Sequence, residues 1–251
     1  MIIAFTVNNR PEYLRQTLES WSRVRGISDW VLIFACEPGC PEAVDVCRSV
    51  DFAPAVIATS PVRQGVLGNP WLALDHAFGV SPELHGPRDF AILAEEDLIV
   101  SPDVLEYFAW CQRYADDPEV LGVTTYQHVE QPGGLQGVGP ADWSRDDSWH
   151  FWIWGTWRDR WQSLLRDSWD VTYEENGGGP NQRGWDWKIR NTLVRGRGMT
   201  MIAPSMARSQ HIGKHGGAHC QPQDFERLLS PSFAGLDVPP QEYREVAPCR
   251  T

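Results

Sequence analysis

Nowhere in its 251 residues does the chain carry an apolar run near the ~18 residues that a membrane span requires. It opens on "IIAFTV", a strand-like run, without a basic stretch leading into an apolar one. Both absences make the cytoplasm the expected location. Cysteine is sparse: Cys36, Cys40, Cys47, Cys111, Cys220 and Cys249 are too few for a disulfide scaffold and show no C-x-x-C zinc spacing, so they read as free thiols. Positive charge is short too, 22 basic against 33 acidic residues for a net −11, which argues against general attraction to nucleic acid or anionic lipid. No internal repeat is evident. The run Gly177, Gly178, Gly179 lacks the Lys-Ser/Thr of a P-loop and the G-x-G-x-x-G setting, and reads as a flexible loop.

What the first half does have is alternation of short apolar runs with helix-like segments: "IIAFTV", "PEYLRQTLESWSRV", "WVLIFA", "PEAVDVCRSV", "APAVIATS", "NPWLALDHAFGV" and "DFAILA". Strands separated by helical periodicity imply crossover connections, hence an α/β fold with a mostly parallel sheet flanked by helices. Such sheets bind ligands beyond the carboxyl ends of their strands, which makes "NNRPEY", "CEPGC" and "EEDL" neighbours in space. In "SPDVLEYFAWCQRYADD", Ser101 reads as an N-cap, Pro102 fits the first turn, and Val104, Leu105 and Phe108 mark one face. The acids before it are therefore expected on a short turn between a strand and a helix. Later segments read as a tryptophan-dense stretch, a helix around residues 184 to 194, a strand at "MTMIA" and a proline-rich tail.

The apolar run "AILA" ends in three carboxylates, Glu95, Glu96 and Asp97. A hard divalent cation is held by one or two carboxylates while phosphate oxygens and water complete its shell, so an acidic cluster at a strand end suits Mg²⁺ or Mn²⁺. The competing reading is a solvated acidic turn stabilised by a helix dipole. Arg10, directly after the first strand, could reach a diphosphate. Asp186, between Trp185 and Trp187 in "GWDWKIR", could gain the raised basicity of a general base through partial desolvation, or could simply pair with Arg190. From Arg183 to His219 the chain is basic, with Arg183, Lys188, Arg190, Arg195, Arg197, Arg208 and Lys214 against Asp186 alone, and an anion is expected there.

The order R-P-E-Y-L, strand–E-E-D–L-I-V-S-P-D, W-D-W-K-I-R, "RGRG" and "APSMARSQHIGKHG" resembles the β-1,2-N-acetylglucosaminyltransferase I family of GT-A glycosyltransferases. The resemblance covers residues from 1 to about 225, most specifically around the acidic triplet and most weakly from about 125 to 180. It implies a GT-A, Rossmann-like nucleotide-diphospho-sugar transferase fold. The implied reaction is an inverting transfer, dependent on Mn²⁺ or Mg²⁺, of GlcNAc or another hexose from a nucleotide-sugar, commonly UDP-linked, to an acceptor hydroxyl. On this resemblance Asp97 is the metal ligand, with Glu95 and Glu96 supporting ribose, water or loop geometry at the donor. Asp186 matches the catalytic base, Trp187 standing where the family has a second aspartate. Arg10 matches an arginine that contacts the diphosphate. Glu37 stands where an aspartate reads uracil, Asn69 replaces a histidine near uracil, and Ala207 replaces a serine at the β-phosphate, so the nucleotide base stays open. In "SQHIGKHGGAH", His211, His215, His219 and Lys214 can supply a metal ligand or phosphate donors. His211 is nearest the family's donor loop and is a second metal candidate, Lys214 a donor-binding one. Trp185 and Trp187 are acceptor-binding candidates beside the base.

The expected organisation is one catalytic domain over residues 1–230, with a nucleotide-sugar half at 1–125, an acceptor and base half at 126–230, and a tail at 231–251. Two rival readings remain. One is a glycoside hydrolase pairing Glu95 or Glu96 with Asp186. The other is a non-catalytic carbohydrate-binding protein using the tryptophans, although most of Trp152, Trp154, Trp157 and Trp161 are expected to be structural. The acceptor is open among glycan, small molecule, protein and a hydroxymethylated DNA base.

Overall fold

The computed structural model describes residues 1–79, 89–126, 139–146, 151–172, 184–216, 222, 225–229, 233 and 242–246. Gly177–Gly179, Arg183 and His219 lie outside the described residues. Strand β1 (Ile2–Val7) is apolar at nearly every position and buried on both faces, as a central parallel strand must be. It pairs in parallel with β2 (Val31–Cys36) and β4 (Phe90–Glu95), and β2 pairs in parallel with β3 (Ala55–Thr59). The remaining strands are β5 (Leu98–Val100), β6 (Val120–Thr124), β7 (Asp142–Asp146), β8 (Trp154–Trp157), β9 (Thr200–Pro204), β10 (Ser209–His211) and β11 (Arg244–Glu245). Nine of them form one sheet in the order β11-β7-β9-β6-β8-β4-β1-β2-β3, and β5 and β10 form a separate antiparallel pair.

Alternation along the central strands splits the core in two. Ile3, Phe5, Val7, Leu32, Phe34, Phe90, Ile92 and Ala94 face helices α1 (Pro11–Ser22), α2 (Pro41–Arg48) and α4 (Val104–Cys111). Ile2, Ala4, Ile33, Ala35, Ala91 and Leu93 face α3 (Gly65–Gly79) and the helical stretches 158–168 and 185–195. Helix α1 begins with Pro11 at its first turn and buries Leu14, Thr17, Leu18 and Trp21, a stripe at helical spacing. No described helix is long and apolar enough to cross a membrane.

Strand β8 runs antiparallel between β4 and β6 and thereby joins the two ends of the sheet. Gly155 makes the insertion fit: a Cβ there would stand 2.2 Å from Phe90 Cζ, and one on Gly122 would stand 2.6 Å from the Gly155 carbonyl oxygen.

Three local expectations change. Residues 98–100 form β5 rather than leading into the helix, so Glu95 ends β4 and Glu96 and Asp97 occupy a turn between two strands. The reason is non-local: β5 finds its partner in β10, more than a hundred residues on. Ser101 does not cap α4; its hydroxyl donates to Asp103 Oδ1 at 2.6 Å, and Asp103 is the residue at the cap position. Helix α3 starts at Gly65, before the "NPWLALDHAFGV" pattern. We expect Gly155→Ala to lower the free energy of unfolding by about 1–3 kcal/mol through overpacking against Phe90, measured by urea denaturation.

Candidate active site

The acidic turn sits where β4 leaves the sheet, beside the carboxyl ends of β1 and β2. Glu96 and Asp97 are each 2% exposed, too buried to carry unpaired charge. Their partner is Arg10, which occupies the N-cap position of α1. Its Nε donates to Glu96 Oε1 at 2.7 Å and its Nη1 to Asp97 Oδ2 at 2.8 Å. The Asn8 backbone N–H donates to Glu96 Oε2 at 2.6 Å, and the Thr17 hydroxyl to the Glu96 carbonyl at 2.9 Å. Arg10 thus spends two donors on the carboxylates.

A second element closes over this turn. His211 Nε2 lies 3.1 Å from Asp97 Oδ2, and the Ile212 N–H donates to the Asp97 carbonyl at 2.9 Å. Trp152 stacks on the imidazole at 4.8 Å between centroids. At Gly213 a Cβ would fall 2.0 Å from Asp97 Oδ2 and 3.0 Å from Arg10 Nη1, so this position must be glycine for the strap to lie here. The His215 N–H donates to the Tyr13 hydroxyl, and Lys214 Nζ lies 3.9 Å from Glu226. Burial opposes ionisation of Asp97, but the His211 and Arg10 donors outweigh it and hold its carboxyl below the usual range.

Two buried atoms here have no hydrogen-bond partner among the described residues: Asp97 Oδ1 and His211 Nδ1. The open carboxylate oxygen suits a divalent cation whose shell a diphosphate and water would complete, whereas His211 Nδ1 points away from Asp97 because Nε2 is the nitrogen that faces it. No three His, Cys, Asp or Glu side chains among the described residues cluster to hold a metal unaided.

Glu37 follows β2 and is buried. Its carboxylate accepts from the Gly65 N–H at 2.7 Å and the Gln64 N–H at 2.9 Å, capping the start of α3. Asn69, one turn on, donates through Nδ2 to the Ala35 carbonyl at 3.0 Å, and its Oδ1 is buried without a partner among the described residues.

Asp186 opens a short helix, Trp185–Ile189, preceded by Gly184 at φ 97°. A Cβ on Gly184 would stand 2.6 Å from Leu67 Cδ2 of α3, so glycine allows the helix to back onto α3. Burial pushes the Asp186 carboxyl up to about 6, although its own N–H and that of Trp187 oppose the shift. Its Oδ1 is buried without a partner among the described residues. Glu95 is pushed up to about 8 by burial and by Asp97, with Arg10 opposing and Glu96 and Asp186 adding to it. Asp186 is thus the least of the charges that raise Glu95, while its own rise comes from burial.

Other expectations resolve differently. Trp185 is 5% exposed and stacked on Trp169 at 3.9 Å, which leaves it little surface for an acceptor. Trp187 is half-buried under the Arg190 guanidinium. Trp154, Trp157 and Trp161 are core residues, in line with the structural role expected of them, so a sugar-binding face cannot be built on them. Arg208, counted in the basic segment, is fully buried: its Nε donates to Asp103 Oδ2 at 3.0 Å and its Nη2 to the Pro140 carbonyl at 2.8 Å. Ala207 beside it is also fully buried. Sequence reasoning passed over Asn8, Thr17 and Gly213; of these only the glycine spacing of "IGKHGG" carried a signal.

No family model and no curated protein matches the chain. Solved structures do. Similar ones include S. aureus TarS 1-349 in complex with UDP-GlcNAc, 12% identical with a TM-score of 0.51, over 91% of this chain and 64% of that one. Another is the mannosyltransferase PcManGT from Pyrobaculum calidifontis in complex with GDP-Man and Mn²⁺, 15% identical with a TM-score of 0.50, over 81% of this chain and 54% of that one. The chain spans less than two-thirds of the length of either. What is shared is the fold: a GT-A arrangement of a mostly parallel sheet flanked by helices.

The raised Asp186 carboxyl has a consequence for stability. A folded-state value above the unfolded one means that the native state binds the extra proton between about pH 4 and 6. Stability therefore falls as pH rises through that window, and the penalty is complete above it. Asp186→Asn removes the penalty. It should be about 1 kcal/mol more stable than the parent at pH 7.5 and indistinguishable from it near pH 3.5, as read from urea unfolding at the two pH values.

Proposed function

We propose that the chain is an inverting, metal-dependent glycosyltransferase that moves GlcNAc or another hexose from a UDP-linked nucleotide-sugar to an acceptor hydroxyl. The observation that carries this reading is the pairing of a buried acidic turn with an open Asp97 oxygen and, within electrostatic reach, a carboxyl at Asp186 tuned to about 6. The GT-A fold supports it, and so do the nucleotide-sugars named with TarS and PcManGT. Resemblance to the β-1,2-N-acetylglucosaminyltransferase I family supplies the inverting outcome.

In this reading Asp97 Oδ1 is the protein atom offered to Mn²⁺ or Mg²⁺, and His211, the other metal candidate, holds the Asp97 carboxylate through Nε2. The bound ion would supply Lewis-acid stabilisation of the departing diphosphate. Arg10, Glu95 and Glu96 shape the donor side, with Lys214 on the strap nearby. Glu37 acts through the position of α3, and Asn69 offers its open Oδ1 beside it. Asp186 takes the proton of the acceptor hydroxyl on Oδ1. The acceptor oxygen then bonds to the anomeric carbon as the bond from that carbon to the phosphate oxygen breaks. The nucleoside diphosphate leaves with the electron pair, and the anomeric configuration inverts. A value near 6 leaves Asp186 ionised at neutral pH while keeping it a stronger base than an ordinary aspartate. Trp187 flanks the acceptor side.

Asp186→Asn should reduce transfer, assayed by release of the nucleoside diphosphate, by at least about a thousandfold while leaving donor affinity within about twofold. Unimpaired transfer would remove Asp186 from the role of base. Asp97→Asn should weaken binding of UDP-GlcNAc in the presence of Mn²⁺ by about tenfold or more in calorimetry, and should flatten the response of that affinity to Mn²⁺. A parallel screen with GDP-mannose tests the choice of base.

A further inference from the structure

An acidic turn aimed at a divalent cation does not require a guanidinium on its own oxygens, yet Arg10 is there. Glu96 and Asp97 have four carboxylate oxygens between them. Arg10 takes Glu96 Oε1, the Asn8 N–H takes Glu96 Oε2, and Arg10 and His211 share Asp97 Oδ2. Only Asp97 Oδ1 has no partner among the described residues.

Arg10 is also hard to displace. Its guanidinium keeps its charge at any pH at which the protein is folded, so titration cannot remove it. The strap encloses it: a Cβ on Gly213 would lie 3.0 Å from Nη1, and one on Gly216 would lie 3.5 Å from its Cδ. Its side chain is 17% exposed.

Resting on the transferase reading, we propose that Arg10 is a resident cation that keeps the site from holding a divalent metal until a nucleoside diphosphate arrives. A hard dication facing one free carboxylate oxygen and a fixed positive charge gains little over its hydration shell. A diphosphate reverses the balance, because its negative charges offset Arg10 and its oxygens fill the coordination sphere. Metal and diphosphate therefore bind as a pair, and metal does not bind first.

The test is a titration of Mn²⁺ into the intact chain, free Mn²⁺ being read by electron paramagnetic resonance, with and without saturating UDP, the Mn²⁺ taken up by UDP alone being measured in parallel and subtracted. The variants are Arg10→Met and Arg10→Lys. We expect Mn²⁺ affinity of the parent chain to rise about tenfold or more when UDP is present. Without nucleotide, Arg10→Met should bind Mn²⁺ at least about tenfold more tightly than the parent, whereas Arg10→Lys, which retains the charge, should stay within about twofold of it. Parent affinity for Mn²⁺ alone equal to that with UDP would overturn the proposal. So would an Arg10→Met chain that melts cooperatively and gains no Mn²⁺ affinity. Should Arg10→Met not fold, Arg10→Gln, which keeps a hydrogen-bond donor and drops the charge, takes its place with the same expected gain. Absence of any Mn²⁺ uptake with UDP or GDP would instead sink the transferase reading itself, which separates the two failures.

Discussion

Two adjacent carboxylates, Glu96 and Asp97, buried beyond the end of a strand repel one another, and the Arg10 guanidinium is what makes their position tenable. Its two hydrogen bonds do more than neutralise charge. Because Arg10 is also the N-cap residue of α1, they tie the first turn of that helix to the turn between β4 and β5. Thr17, further along the same helix, repeats the tie through the Glu96 carbonyl. Loss of the cation would leave buried carboxylates uncompensated, which is costlier than the net contribution of the pair.

Around that constraint the site is assembled from opposite ends of the chain. The acidic turn comes from the parallel half of the sheet, while His211 and Gly213 reach it from beyond β9. Helix α3 links the other two parts, since its start is capped by Glu37 and its Leu67 packs under Gly184, next to Asp186. Asp186 and Glu95 are carboxyls raised by the same cause, burial, but to different values, about 6 and about 8. At neutral pH one is mainly ionised and the other mainly protonated, a division of labour that environment imposes on like groups.

Much of this was legible in the residues. The unbroken apolar character of "IIAFTV" and "WVLIFA" identified central strands, and Pro11 and Pro41 marked helix starts, because those signals are local. Misreadings arose where the deciding partner is remote. "LIV" is too short to announce a strand and becomes one only through Ser209–His211. Gly65, Gly68 and Pro70 are poor helix formers, so α3 appeared to start late. A count of basic residues cannot distinguish Arg208, buried on Asp103, from an arginine facing an anion. Glu37 stood at the expected strand end, but its engagement by two backbone N–H groups depends on where α3 begins.

The buried Asp103–Arg208 pair also bears on how reliably the chain can fold to one arrangement. Strands β5 and β10 share only three rungs, and a slip of one residue would turn His211 to the opposite face. Arg208 immediately precedes β10, and Asp103 lies just beyond β5, so a slipped pairing would separate the two ions inside the protein. An interior charge without its partner costs several kcal/mol, more than a short ladder can return. A register in which the imidazole would miss Asp97 is thus also one that parts this buried pair.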